Sequence, residues 1–231
     1  MASPPLDVRK ILDAFDGTLR LFPLPSLVMF PDTLVPLKVF EPRYVAMAEE
    51  ALEQDGLVGM ALLQPGYQGD YEGSPAIFPM LCIGRIVSHE RLPNGHITFW
   101  LYGLERALVQ HELESEPFRR AQVELCPDVL HAPDRERVAR QLQKVLAMIP
   151  GRRAVFTELR RLSRDVRGAS GSPGRLCDAI ANVSDLRPRE RYELLVETNV
   201  TRRLARLAHL LRRRGSKEAP SGPAPRDVSL N

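Results

Sequence analysis

A chain of 231 residues has room for one large domain or two small ones, since domains commonly run to ~100–200 residues. With 44% hydrophobic and 26% charged residues it can bury a core, which excludes global disorder. It contains no uncharged apolar run of the ~18 residues that a membrane-spanning helix needs. Asp7, Arg9, Lys10, Asp13 and Asp16 interrupt any signal-peptide hydrophobic region. Cys82, Cys126 and Cys177 are too widely spaced for a CxxC metal or redox motif, or for a disulfide framework. The expected setting is a reduced, cytoplasmic one. Charge is uneven: residues 1–130 carry 18 acidic and 10 basic side chains, whereas 131–231 carry 11 and 22. That asymmetry points to two structural units.

In chain order, Val8, Ile11, Leu12 and Phe15 share one face of a short helix, which Gly17 ends. From there to about residue 127 the pattern is mainly of strands. Short apolar runs at 19–24 and 35–40 are separated by Pro31-Asp32, and 57–63 is apolar throughout, as in a strand covered on both faces. Segments 83–92 and 96–102 flank Pro93-Asn94-Gly95, whose Asn-Gly predicts a hairpin. Strands at 105–114 and 118–126 follow, and 65–75 reads as an exposed loop. One helix interrupts this region. It has Pro42 at its first position, a Phe40–Val45 staple, an inward face of Val45, Ala48 and Leu52, and a stop at Gly56.

After Pro133 the apolar period becomes helical. Val138, Leu142, Val145, Leu146 and Ile149 mark one helix, and Phe156, Leu159 and Leu162 a second that closes in the loop 168–174. Three more follow at 176–183, 188–198 and 200–214, the last with a buried stripe of Val200, Leu204, Leu207 and Leu211. The expected division is an extension with a short helix (1–17), a β-rich lobe (18–130), a helical lobe (131–214) and a disordered tail (215–231).

The sequence offers little for catalysis. It has no GxxxxGK[ST] phosphate loop, no HExxH or paired metal spacing among its five histidines, and no GxSxG elbow. His89 and His96 flank the Asn-Gly turn and read as surface residues facing each other across the hairpin. Arg153, Arg160, Arg164 and Arg167 fall near one helix face, but no aromatic residues are interleaved with them, which argues against nucleic-acid binding. Arg212, Arg213 and Arg214 suit the negative end of the last helix. No catalytic residue, metal or cofactor is expected. By contrast, Leu27-Val28-Met29-Phe30-Pro31 and Phe99-Trp100-Leu101-Tyr102 are apolar at consecutive positions, hence on both faces of any strand. One face packs inward, and the other is covered or left for a partner.

Several blocks resemble the LON substrate-binding domain, the N-terminal domain of Lon protease. They are Leu21-Phe22-Pro23-Leu24, Val28-Met29-Phe30-Pro31 and Pro36-Leu37-Lys38-Val39-Phe40-Glu41-Pro42-Arg43-Tyr44, then Ile83-Gly84-Arg85-Ile86-Val87, Leu92-Pro93-Asn94-Gly95 and Tyr102-Gly103-Leu104-Glu105-Arg106. The resemblance extends through the proline-led helix at Pro188-Arg189-Glu190 and spans roughly residues 18–214. It implies an α+β fold: a β-rich, PUA-like pseudo-barrel followed by an α-helical lobe. Lon proteases continue into ATPase and Ser-Lys protease modules that this sequence lacks, so the implied type is a free-standing LON-domain protein without hydrolytic activity. Cereblon adds a zinc-bound module to the same domain, which the cysteine spacing here does not allow.

The implied function is recognition of unfolded or damaged polypeptides in protein quality control, with a protease or chaperone as a further partner. A β-rich lobe suits that task, because an extended chain can pair along a strand edge and fill apolar pockets. The expected contact residues are drawn from Phe30, Phe40, Phe99, Trp100 and Tyr102. Neighbours on a strand face opposite ways, so only part of that set can touch a ligand. Glu41, Pro42, Arg43 and Tyr44, at the opening of the helix, are expected to be structural. The alternative is RNA binding by a PUA-like protein through its basic helical half, which salt would weaken steeply.

Overall fold

The computed structural model describes residues 7–71, 73–149 and 172–215. After a short helix, α1 (Val8–Asp13), come strands β1 (Thr18–Leu24) and β2 (Leu34–Val39), helix α2 (Pro42–Glu53) and strand β3 (Leu57–Leu62). Strands β4 (Met80–Arg91), β5 (Ile97–Leu113) and β6 (Arg120–Leu125) complete the sheet. Helices α3 (Arg135–Leu146), α4 (Pro173–Val183), α5 (Pro188–Val196) and α6 (Val200–Gly215) follow. The helix expected around Phe156, Leu159 and Leu162 lies outside the described residues, as do Arg153, Arg160, Arg164, Arg167 and the tail beyond residue 215.

The sheet is mixed, in the order β2-β5-β4-β3-β1-β6, with β1 parallel to β3 and the other neighbours antiparallel. Strand β5, at 17 residues, is long enough to do two jobs. Its second half pairs with β6, from Ala107↔Leu125 to Leu113↔Arg120, which closes β5-β4-β3-β1-β6 into a ring. Its first half runs beyond the ring and pairs with β2, from Ile97↔Val39 to Tyr102↔Leu34. The end of β4, the start of β5 and β2 thus form a three-stranded flap.

The two strands expected at 96–102 and 105–114 are one. Gly103 marks a close approach rather than a break: an added Cβ would run into the Phe30 carbonyl. At the tip, His89 stands opposite Phe99 rather than His96, whose ring instead meets Phe40 at 5.8 Å and Asn94 at 3.0 Å. The two histidines therefore do not face each other across the hairpin.

Alternation along the strands separates two apolar clusters. One face of the ring gathers Leu19, Leu21, Leu57, Ala61, Leu81, Ile83, Leu104, Ala107, Ala121 and Val123, with Val8, Ile11, Leu12 and Phe15 of the α1 region packed against it. The other face carries Phe22, Val58, Met60, Cys82, Phe99 and Leu101 into a larger core shared with α2 and the C-terminal helices. The side of α2 that meets this core is Tyr44, Met47, Ala48 and Ala51; of the expected Val45–Ala48–Leu52 stripe, Ala48 is buried and Val45 and Leu52 are only partly covered. The Tyr44 ring meets that of Phe22 in a tilted contact at 4.6 Å, with Val45 and Leu52 at the margin. In α6 the buried stripe is Val200, Leu204, Leu207 and Leu210, with Leu211 at its edge.

Two arginines are enclosed where the helices meet the sheet. Arg106 of β5 and Arg203 of α6 are wholly buried. Arg106 donates to Asp178 of α4 at 2.7 Å, to Asp128 at 3.1 Å and to the Leu195 carbonyl at 2.9 Å. Arg203 grips Asp128 with contacts of 2.7 and 2.5 Å. The helices are therefore bonded to β5 by charge as well as by apolar contact.

Candidate functional site

Cross-strand partners share a face of a sheet, so the register sorts the flap's side chains. One face holds Val35, Leu101 and Ile86, then Leu37 and Phe99, then Val39 and Ile97, and it is the covered one. The other presents three rows: Leu34–Tyr102–Arg85, Pro36–Trp100–Ser88 and Lys38–Thr98–Glu90. Here Trp100 is 44% exposed and Leu34 47%, while Val87, at the register shift in β4, is 45%. An indole, a leucine and a valine thus meet solvent on three adjoining strands.

The expected contact set divides accordingly. Phe30 and Phe99 are buried in the larger core and cannot touch a ligand in this conformation. Trp100 and Phe40 are at the surface, Phe40 beside the His96 ring at the hairpin end of the flap. Tyr102 is half-buried. Its hydroxyl donates to Asp32 at 2.6 Å, and burial followed by that carboxylate pushes its pKa upward. Asp32 adopts the left-handed region, φ +57, and its other oxygen meets Arg175 of α4 at 2.7 Å. Leu34 and Val87 do not stand out in the sequence. The signal for Leu34 is its alternation with Val35, but which of the two faces outward depends on the register with β5.

The edge of β2 that pairs with no strand among the described residues is less inviting than its face. The Gly103 N–H donates to the Thr33 carbonyl at 2.9 Å, so odd-numbered residues of β2 bond to β5 and even-numbered ones turn their backbone groups outward. Pro36 sits in the middle of that outward set and has no N–H, while Lys38 adds a charge. Proline and lysine are devices that discourage indiscriminate strand addition.

Glu41, Pro42, Arg43 and Tyr44 open α2, with Pro42 in its first turn. The Glu41 carboxylate does not cap the helix; it accepts from Arg43 at 3.1 Å and from the Tyr71 hydroxyl at 3.1 Å. The Arg43 guanidinium lies over the Tyr44 and Tyr71 rings, at 4.7 and 5.4 Å, and donates to the Tyr71 carbonyl at 3.0 Å. Burial pushes the Tyr44 hydroxyl up to about 12. These contacts fasten the loop containing Tyr71 to the start of α2. The cluster lies among core and loop groups rather than on the exposed face.

Among the described residues no group of three or more His, Cys, Asp or Glu is placed to hold a metal ion, and no helix is long and apolar enough to cross a membrane.

Residues 18–213 match the family model of the ATP-dependent protease La (LON) substrate-binding domain. Among curated proteins the chain is similar to Lon protease of Dictyoglomus thermophilum, 29% identical over 84% of this chain and 24% of that protein. It is likewise similar to Lon protease of Heliobacterium modesticaldum, 30% identical over 84% and 24%. The chain therefore spans about a quarter of the length of these relatives. Among solved structures, a Lon N-terminal domain protein from Xanthomonas campestris superposes with a TM-score of 0.58 at 22% identity, covering 83% of this chain and 97% of that one. The N-terminal domain of a Mycobacterium avium complex Lon protease gives 0.64 at 17% identity, covering 87% and 100%. Both share the mixed sheet and helices, which fixes the fold as α+β. On the family model, matched over most of its length, the chain belongs to the LON substrate-binding domain family.

Proposed function

We propose that this chain is a non-catalytic polypeptide-binding module that engages unfolded or damaged proteins in quality control, in concert with a protease or chaperone. The observation that carries this reading is the exposed face of the flap, where Leu34 and Trp100 stand in solvent beside Pro36 and Tyr102, with the exposed Val87 at the register shift in β4. A patch of that kind on an otherwise well-covered lobe suits a partner that brings apolar side chains in an extended conformation. Family membership supports the same reading, since the matched model is a substrate-binding domain. Phe40 extends the face towards the hairpin. Glu41, Pro42, Arg43 and Tyr44 serve it indirectly, by holding the loop and α2 beneath the sheet.

Binding is weak for any one segment, because ordering a flexible client costs ~2–5 kcal/mol of the interaction energy. Trp100 is the sole tryptophan, so its emission reports directly on this face. Titration with a reduced, tryptophan-free unfolded protein shifts or quenches that emission and saturates, and the effect persists at ~200 mM salt, where phosphate contacts weaken. Emission that stays constant through a titration in which the client binds elsewhere contradicts the assignment.

A further inference from the structure

The flap's exposed face carries a charge bias that bears on which clients it takes, a selectivity that presupposes the polypeptide binding proposed for that face. Between residues 18 and 130 carboxylates outnumber basic side chains, so a cation there has ample choice of partner. Arg20, Arg43, Arg91, Arg106, Arg119 and Arg120 each take at least one: Glu50 and Asp55, Glu41, Glu49, Asp128 and Asp178, Glu112, and Glu50 respectively. The remaining two, Lys38 and Arg85, join no ion pair among the described residues. Both belong to the rows on either side of Trp100: Lys38 in the row towards the hairpin, and Arg85 in the row shared with Leu34 and Tyr102. Rows are ~6.6–6.8 Å apart along a strand and neighbouring strands ~4.8 Å apart, so each cation stands about one client side chain away from the indole. Glu90, in the Lys38 row but two strands from it, is the only carboxylate in the three rows.

We propose that the flap selects extended polypeptide segments in which an apolar side chain is flanked by carboxylates. The apolar residue rests on Trp100 and Leu34, and the flanking carboxylates meet Lys38 and Arg85. In an extended client, residues i−2, i and i+2 lie on one side, which matches the spacing of the rows. Interactions of this sort, at a solvated rim, sort partners more than they add raw affinity.

The test uses three synthetic peptides of about twelve residues, free of tryptophan and identical except at two positions. Each has a central phenylalanine, with Asp, Asn or Lys at both i−2 and i+2. Binding to the full chain is followed by Trp100 emission at low salt. The Asp peptide is expected to bind roughly fivefold more tightly than the Asn peptide, and the Lys peptide more weakly than either. In the Lys38→Gln/Arg85→Gln variant the Asp and Asn peptides become equal, while the Asn peptide keeps its wild-type affinity. Equal binding of all three peptides to the wild-type chain overturns the charge preference but leaves polypeptide binding intact. Failure of all three to perturb Trp100 overturns both. A single-stranded RNA of about twelve nucleotides is the competitor; displacement of the Asp peptide by RNA at lower concentration than by the unlabelled peptide itself reassigns the two cations to phosphate and also overturns the proposal.

Discussion

Arg106 and Asp178 are 72 residues apart in the chain, yet they meet at 2.7 Å with both side chains buried. One belongs to β5 and the other to α4, so this contact joins the ring to the helical half. Arg203 approaches the same Asp178 oxygen at 3.2 Å, and Asp128 faces both arginines. Removing one partner from such a cluster strands an uncompensated buried charge, a loss of ~3–5 kcal/mol. Asp178→Asn is therefore expected to lower the urea midpoint sharply, and Asp178→Leu combined with Arg106→Met to recover part of the loss. A single variant as stable as wild type would mean that the cluster carries no structural weight.

Gly103 lies against the Phe30 backbone where the flap leaves the ring. A Cβ at that position overlaps the Phe30 carbonyl oxygen and comes within 3.2 Å of the Cys82 sulfur, neither of which can yield cheaply. Gly103→Ala is expected to cost ~1–3 kcal/mol or more, as overpacking does. Gly69→Ala is the control, since its methyl would meet nothing within 4 Å. Thermal melts of the two variants separate the cases.

Glu50 accepts from Arg120 at 2.7 and 2.5 Å and from Arg20 at 2.8 Å. The Arg120 hydrogen bonds, with Arg20 adding to them, hold its carboxyl below the usual range against the opposing effect of burial. The folded state then binds fewer protons than the unfolded chain, so stability rises with pH through this window. The contribution is fully present above the ordinary glutamate value of ~4.3 and is lost as the pH falls through the lowered folded value. The stability gap between wild type and Glu50→Gln is thus expected to be largest near neutrality and to shrink below pH ~4. A gap independent of pH would show that the pair does not act through charge.

Cys82 and Cys177 are buried; burial pushes the Cys177 thiol up to about 12, and the Cys82 thiol is raised as well. Cys126 is only partly covered, and burial raises it too. Since the thiolate is the reactive form, a thiol reagent at pH 8 is expected to label Cys126 slowly in the native protein, and all three cysteines in urea. Rapid native labelling of Cys82 would contradict the closed ring.

The β-rich half was legible because its strands announce themselves locally: an apolar run at β3, the Asn-Gly turn between β4 and β5, and alternation in β6. What sequence hid was long-range. Gly103 looks like a strand end, whereas a glycine there lets two backbones touch. Tyr44 turns inward because Phe22 lies beneath it, a partner found only by folding. Nothing in the sequence marks Arg20, Arg106 and Arg203 as buried, since burying a guanidinium requires carboxylates and carbonyls gathered from distant segments. The same limit applied at the candidate site. The sequence marks Phe99 and Trp100 as facing opposite ways, but only the pairing with β2 and β4 shows that the indole faces solvent.

The central claim is that clients bind the exposed face of β2 and β5, and substitution at that face tests it most directly. The measurement is the anisotropy of a fluorescently labelled, reduced unfolded protein titrated with wild type, Trp100→Ala, Leu34→Ala and, as a control, Val183→Ala on α4, which is exposed and remote in sequence. Truncating a central aromatic anchor commonly costs ~1–3 kcal/mol, or roughly fivefold to 150-fold in affinity. Trp100→Ala is expected to weaken binding by that order and Leu34→Ala by less, with melting temperatures close to wild type and Val183→Ala unaffected. Wild-type affinity in a folded Trp100→Ala/Leu34→Ala double variant would contradict the account.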